Sequence, residues 1–200
     1  MEAPLPDDWD KEVYNQPTSF KAMIAYAKER ADTVGAGSSR IAYLIDYQGR
    51  KTVLKIAKNG KGLAQNAEEA QLMDDYYLEG LDITIPLIDY DEENPQPTWI
   101  HTEYADKISP TQLDKFFGHD IYEVLQNIEY RLKGNNSFHG DVELPDEVHE
   151  NEYYQALADL IISYELPVGD FQRNANWGLY KGNPVIIDLG YNGSAIELYK

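Results

Sequence analysis

The stretch RIAYLIDYQGRKTVLKIA, residues 40–57, limits the fold more than any other part of the chain. Apolar side chains crowd Ile41–Asp46 and again Lys51–Ala57, and the Gln48-Gly49 pair between them is a turn signal. Two such runs joined so tightly predict neighbouring antiparallel strands. The preceding TVGAGSS adds another strand and a glycine turn, which makes a three-stranded meander. Upstream, from Pro17, Phe20, Met23, Ile24, Ala27 and Ala31 recur at helical spacing, with Thr18 or Ser19 as the cap. Downstream, GLAQNAEEAQLMDDYYLEG reads as a helix stopped by Gly80. ITIPLIDYDEE and PTWIHTEYADKI read as two more strands around an acidic, proline-rich loop, DEENPQP. Helix, three strands, helix and two strands predict an α+β fold on an antiparallel five-stranded sheet.

Beyond Pro110 the pattern becomes helical. Leu113, Phe116, Phe117, Ile121, Leu125, Ile128 and Leu132 form one broad apolar face, with Gly118 as a break point. GNNSFHGDVELPDE reads as a loop, either a lid, a partner site or an exposed linker. ENEYYQALADLIISYEL reads as a second long helix, striped by Tyr154, Leu157, Ile161 and Tyr164. A polar loop and a small hairpin turning at Lys181-Gly182-Asn183 follow. The divisions expected are an acidic lead-in over 1–16, a first lobe over 17–105 and a mostly helical second lobe over 106–200.

The chain has 200 residues, 42% of them hydrophobic, which suits one domain or two small lobes with a real core. It has no cysteine, so disulfides and thiolate metal sites are ruled out. No apolar run approaches the roughly 20 residues of a membrane span, and MEAPLPDDWDKE lacks the apolar stretch of a secretory leader. The net charge is −18. That argues against a phosphate-matching surface for nucleic acid. It suits either solubility or a surface for a basic partner.

Several residues carry candidate chemistry, each beside a plainer reading. Gly35-Ala36-Gly37-Ser38-Ser39 lies between strands, where glycines let backbone amides approach a phosphate, although any hairpin turn also favours glycine. Lys55 sits inside an apolar strand, either on its solvent face or reaching a phosphate while paired with an acid. The next helix offers Glu68 and Glu69. Glu69 shares its face with Asn66, Leu72, Met73 and Tyr76, so it is the one expected to point inward. In VGDFQRNANWG, Asp170 with a following Asn could orient a hydroxyl and bind Mg²⁺, or the loop could be a run of Asx turns. Asp188 ends the apolar run Val185-Ile186-Ile187 and needs a cation, a donor or a metal if it is buried. His139 and His149 have no further ligands at metal spacing and read as solvent-exposed.

The order of these fragments resembles the protein-kinase-like fold, across roughly residues 20–190. The stretches GAGSSRIAYLI, VLKIAKNGKGLAQNAEEAQL, GDFQRNANWGL and VIIDLG are most similar to small kinase-like proteins of tailed bacteriophages. The resemblance implies that Gly35-Ala36-Gly37 is the glycine-rich loop, Lys55 the strand lysine and Glu69 its helix partner. It further implies that Glu103-Tyr104-Ala105 contacts adenine, that Asp170 is the catalytic aspartate, and that Asp188-Leu189-Gly190 stands where Asp-Phe-Gly does. ATP and Mg²⁺ follow as the implied cofactors, with Asn176 and Asp188 as metal ligands and a bacterial host cytoplasm as the implied location.

The chain departs from that pattern in five places, one of them a Lys55-to-Glu69 interval shorter than in protein kinases. Arg40 replaces the third glycine. Gly169 precedes Asp170, so His-Arg is absent. The usual asparagine position is Ala175, so Asn176 or Asn174 must serve; Asn176 is preferred, because Trp177-Gly178-Leu179 then opens the hairpin. Ten residues follow Gly190 here, too few for an activation segment, so the expected second lobe is truncated. Two functions stay open: an ATP-dependent transferase acting on a host protein or small molecule, and an inactive pseudokinase-like acidic protein that binds a host protein.

Overall fold

The computed structural model describes residues 19–74, 83–137 and 140–189. The lead-in, Pro17, Thr18, Tyr76, Gly80, His139 and Gly190 lie outside the described residues. The chain forms two compact units, 19–74 with 86–104, and 83–85 with 105–189. The mixed α+β class is as expected.

The first unit runs α1 (Phe20–Lys28), β1 (Asp32–Ala36), β2 (Arg40–Tyr47), β3 (Arg50–Ala57), α2 (Gly60–Met73), β4 (Leu87–Tyr90) and β5 (Trp99–Glu103). The strands make one antiparallel sheet in the order β1-β2-β3-β5-β4. Gln48 and Gly49, at φ 49° and 75°, form the predicted tight turn and pair Tyr47 with Arg50. That register fixes the two faces. Tyr43, Ile45, Leu54, Ile56 and Trp99 pack on Met23 and Ala27 of α1 as the core. Ala42 and Ile100 flank Lys55 on the other face, the one bonded to α2 through Glu69. The helix α1 starts at Ser19, whose side chain accepts from the Ala22 amide. DEENPQP is a built turn: the Asp91 carboxylate takes Asn94 Nδ2 at 2.8 Å, the Thr98 amide at 3.1 Å and Thr98 Oγ1 at 2.7 Å.

The second unit contains β6 (Asp106–Lys107), α3 (Pro110–Phe117), α4 (Ile121–Lys133), α5 (Asp146–His149), α6 (Glu152–Ser163), α7 (Val168–Phe171), β7 (Trp177–Tyr180) and β8 (Asn183–Ile186). The predicted helix after Pro110 is indeed two pieces. Gly118 closes α3 at φ 69°, and Asp120 caps α4 by accepting from the Tyr122 and Glu123 amides. Leu113, Phe117, Val124, Leu125, Ile128, Tyr154, Leu157 and Ile161 are buried, as the helical stripes require. Phe117 meets the buried Trp177 edge to face at 5.9 Å.

Two predicted strands come out differently. ITIPLIDYDEE supplies β4 only from Leu87. Residues 83–85 belong to the second unit, where Ile85 N donates to Ile186 O at 2.9 Å and Ile186 N donates to Ile83 O at 2.7 Å. Pro86, with no amide hydrogen, separates the two pairings. PTWIHTEYADKI likewise splits: Trp99–Glu103 stays in the first sheet, and Asp106–Lys107 pairs with β7 in a three-stranded sheet, β6-β7-β8. The two predicted loops carry short helices, α5 and α7. His149 is half-buried rather than exposed, with its ring edge-on to Tyr154 at 5.0 Å. Among the described residues no helix is long and apolar enough to cross a membrane.

Candidate functional site

In the first unit, the sequence places Lys55 on the inner face of β3 and Glu69 on the inner face of α2. Both are nearly removed from solvent, at 7% and 1% exposure, and Lys55 Nζ donates to Glu69 Oε1. The expected choice of Glu69 over Glu68 is what the helix does. Arg40 joins the pair. Its Nη1 donates to Glu69 Oε2, and to Asn66 Oδ1 at 3.2 Å. The departure that reads as a lost glycine is therefore a second buried cation on the same carboxylate. Register explains how: Ala42 faces Lys55 across the strands, so Arg40 lies two residues along on the same face.

The glycine turn is tied to the start of α2. Lys58 N donates to Ser39 O at 2.7 Å, Lys58 Nζ to Gly37 O at 2.7 Å, and Asn59 Nδ2 to Ser38 O at 3.1 Å. Ser39 Oγ donates to Gln65 Oε1 at 2.8 Å. Gly62 permits this approach, because a Cβ there would stand 2.2 Å from Ser39 O. Gly35 and Gly37 differ. A Cβ at either would meet its nearest neighbour at 3.8 Å, and neither has a positive φ. Gly35 and Ala36 lie in the exposed strand β1, with Gly37 and Ser38 exposed after it.

Glu103 ends β5. Its carboxylate is held by Arg50, Nη2 to Oε1 at 2.8 Å, and its amide donates to Pro86 O at 3.0 Å. On β5, one strand in from the edge strand β4, His101 is fully buried, with Nε2 2.7 Å from Thr52 Oγ1. Burial first, and the nearby Arg50 second, lower its pKa to about 4. The signal for this residue was a histidine on the core side of an apolar strand.

In the second unit, two hydrogen bonds to backbone carbonyls link Asp170, Asn176 and the residue before Asp188. Asn176 Nδ2 donates to the Asp170 carbonyl at 2.9 Å, and the Ile187 amide donates to the Asn176 carbonyl at 2.8 Å. Asn176 is thus fixed beside both Asp170 and the residue preceding Asp188. Asn174 is directed elsewhere, its Nδ2 donating to Ile108 O at 2.9 Å. The side chains of Asp170, Asn176 and Asp188 are partly exposed. Trp177 anchors the loop through Nε1 to Phe171 O at 2.8 Å. Ala105 packs where a Cβ on Gly178 would come within 2.5 Å of it. Among the described residues no group of three or more His, Asp and Glu side chains could hold a metal ion. The donors expected here, one carboxylate from Asp188 and one amide oxygen from Asn176, suit Mg²⁺ that keeps waters and shares phosphate oxygens rather than an all-protein cage.

No protein-family model matches the chain, and no curated protein matches it either.

Proposed function

We propose that this chain is a kinase-like protein that binds ATP with Mg²⁺. The observation that carries the reading is the buried Lys55–Glu69 pair, a lysine inside a sheet whose acid comes from the following helix. In this reading Lys55 meets the α- and β-phosphates, and Gly35 through Ser39 approach them by backbone. Support for the second part is that Gly35 and Gly37 answer no steric or conformational need of the fold. Glu103 and Ala105 are the proposed adenine contacts, as the resemblance implies. Asn176, through Oδ1, and Asp188 are the proposed Mg²⁺ ligands, and Asp170 the group that positions an acceptor hydroxyl. Mg²⁺, when bound, would neutralise phosphate charge. The chain's own part is to orient the phosphates and hold the acceptor proton at the Asp170 carboxylate.

Thermal melting with and without millimolar ATP and Mg²⁺ tests this reading, since a ligand that binds only the folded chain raises its stability. A midpoint indifferent to nucleotide would sink it. If the midpoint moves, labelled ATP with Asp188→Ala as the control tests transfer. Equal labelling of both proteins would remove the metal assignment.

A second reading, an inactive acidic protein that binds a basic partner, is favoured by one stretch. Asp141, Glu143, Asp146, Glu147, Glu150 and Glu152 are all exposed, with no Lys or Arg among them. Such a complex should dissociate as salt rises.

A further inference from the structure

The cluster around Glu69 contains one cation more than a Lys–Glu pair needs. Arg40 and Lys55 each hold one oxygen of the same carboxylate, and all three side chains are less than 10% exposed. Arg40 reaches further along the helix, to Asn66, whose own Nδ2 donates to Pro97 O at 2.9 Å. Ser39, beside Arg40, bonds Gln65. Helix α2 is therefore fastened at Gln65 to Ser39, and at Asn66 and Glu69 to Arg40 of β2, by bonds in which Lys55 has no part.

Removing one partner of a buried ion pair is costly because it leaves the other charge in a poor solvent. A lysine that alone neutralises a buried glutamate cannot give its ammonium to a ligand without that penalty. Here the penalty is covered by Arg40. Its planar guanidinium is always charged, and it serves Glu69 and Asn66 together.

We propose that Arg40 is a positioning residue for Lys55: by neutralising Glu69 and fixing α2, it lets Lys55 turn its ammonium to the phosphates of a nucleotide. This rests on the nucleotide reading above.

The test has a ligand-free arm and a ligand arm. In the first, hydrogen exchange is followed for amides 64–70. Lys55→Met should leave their rates within about threefold of wild type, because Arg40 still answers Glu69, whereas Arg40→Gly should raise them about tenfold or more. Equal protection in Lys55→Met and Arg40→Gly, or greater loss in Lys55→Met, overturns the proposal. In the second arm, Arg40→Gly should weaken MgATP binding about tenfold, since Glu69 now claims Lys55. Arg40→Gly with Glu69→Gln should recover binding to within about threefold, because the competing charge is gone. A merely structural Arg40 would not be rescued by a second change in the core, so absence of rescue refutes the positioning role. Arg40→Gln, which keeps a donor for Asn66 but no charge for Glu69, should weaken MgATP binding about tenfold, and it carries the ligand arm, with the same Glu69→Gln rescue, if Arg40→Gly fails to fold. A wild-type protein that ignores MgATP refutes the nucleotide reading and not the fastening of α2, which the exchange arm then decides alone.

Discussion

The Glu69 carboxylate is 1% exposed and has a cation on each oxygen, so its charge is what makes the burial of both cations tolerable. Glu69→Gln removes the charge that Arg40 and Lys55 both bond, and should lower unfolding free energy by about 3–5 kcal/mol, measured by urea denaturation at neutral pH. His101 makes a second residue-scale prediction. Its side chain is buried, and among the described residues Nδ1 has no hydrogen-bond partner. Its pKa falls from 6.5 to about 4 on folding. The unfolded chain therefore takes up the proton first as pH drops. The contribution is whole above pH 6.5, erodes below it and is lost as pH falls through 4, for a total of about 3 kcal/mol. Denaturation midpoints measured from pH 7 to 4 should decline, and His101→Gln should flatten that decline. At the glycine turn, Gly37→Ala should change stability by less than about 0.5 kcal/mol, because its Cβ enters ordinary contact. The same variant should lose the thermal shift with MgATP. A variant destabilised by more than that would show the glycine serves the fold instead.

At the scale of elements, α2 and the glycine turn approach so closely that one methyl group separates two outcomes. Gly62→Ala puts Cβ 2.2 Å from Ser39 O and 3.0 Å from Ala57 Cα, both backbone, so helix and turn must part. It should cost about 1–3 kcal/mol. Gly60→Ala, two residues earlier, meets nothing within 4 Å and should be neutral or slightly stabilising, by up to about 1 kcal/mol. Differential scanning of the two variants side by side checks both. The clearest elements were readable in advance: the β2–β3 hairpin from its two apolar runs and turn, α4 and α6 from their stripes, the Gly118 break from one residue. The path of residues 83–85 and the pairing of Asp106–Lys107 were not. Such short segments have no period, and their partners in β8 and β7 lie about 70 to 100 residues away. Arg40 is an intermediate case. It reads as a missing glycine, but counting back from the Gln48-Gly49 turn pairs Ala42 with Lys55 and so sets Arg40 on the lysine's face. The Asp170–Asn176–Asp188 group was legible as residues and not as geometry, since a backbone bond from Ile187 to Asn176 makes it.

For the whole molecule, charge is the dominant long-range effect. With a net charge of −18, the acids repel one another more in the compact state than in the extended chain. Raising monovalent salt from about 0.02 to 0.2 M shortens the screening length from roughly 20 Å to under 10 Å, so the melting midpoint should rise. A midpoint that falls with salt would mean that attractive pairs such as Arg50–Glu103 outweigh the repulsion. The placement of the aromatic core has a practical consequence. Trp99, fully buried, belongs to the five-stranded sheet, and Trp177, 2% exposed, belongs to the hairpin of the other unit. Each unit thus contains its own intrinsic fluorophore. With Trp9 replaced by Phe, a Trp99→Phe protein reports on one unit and a Trp177→Phe protein on the other. Superimposable fluorescence transitions would make the chain a single cooperative folding unit, and separated ones would give each unit a stability of its own.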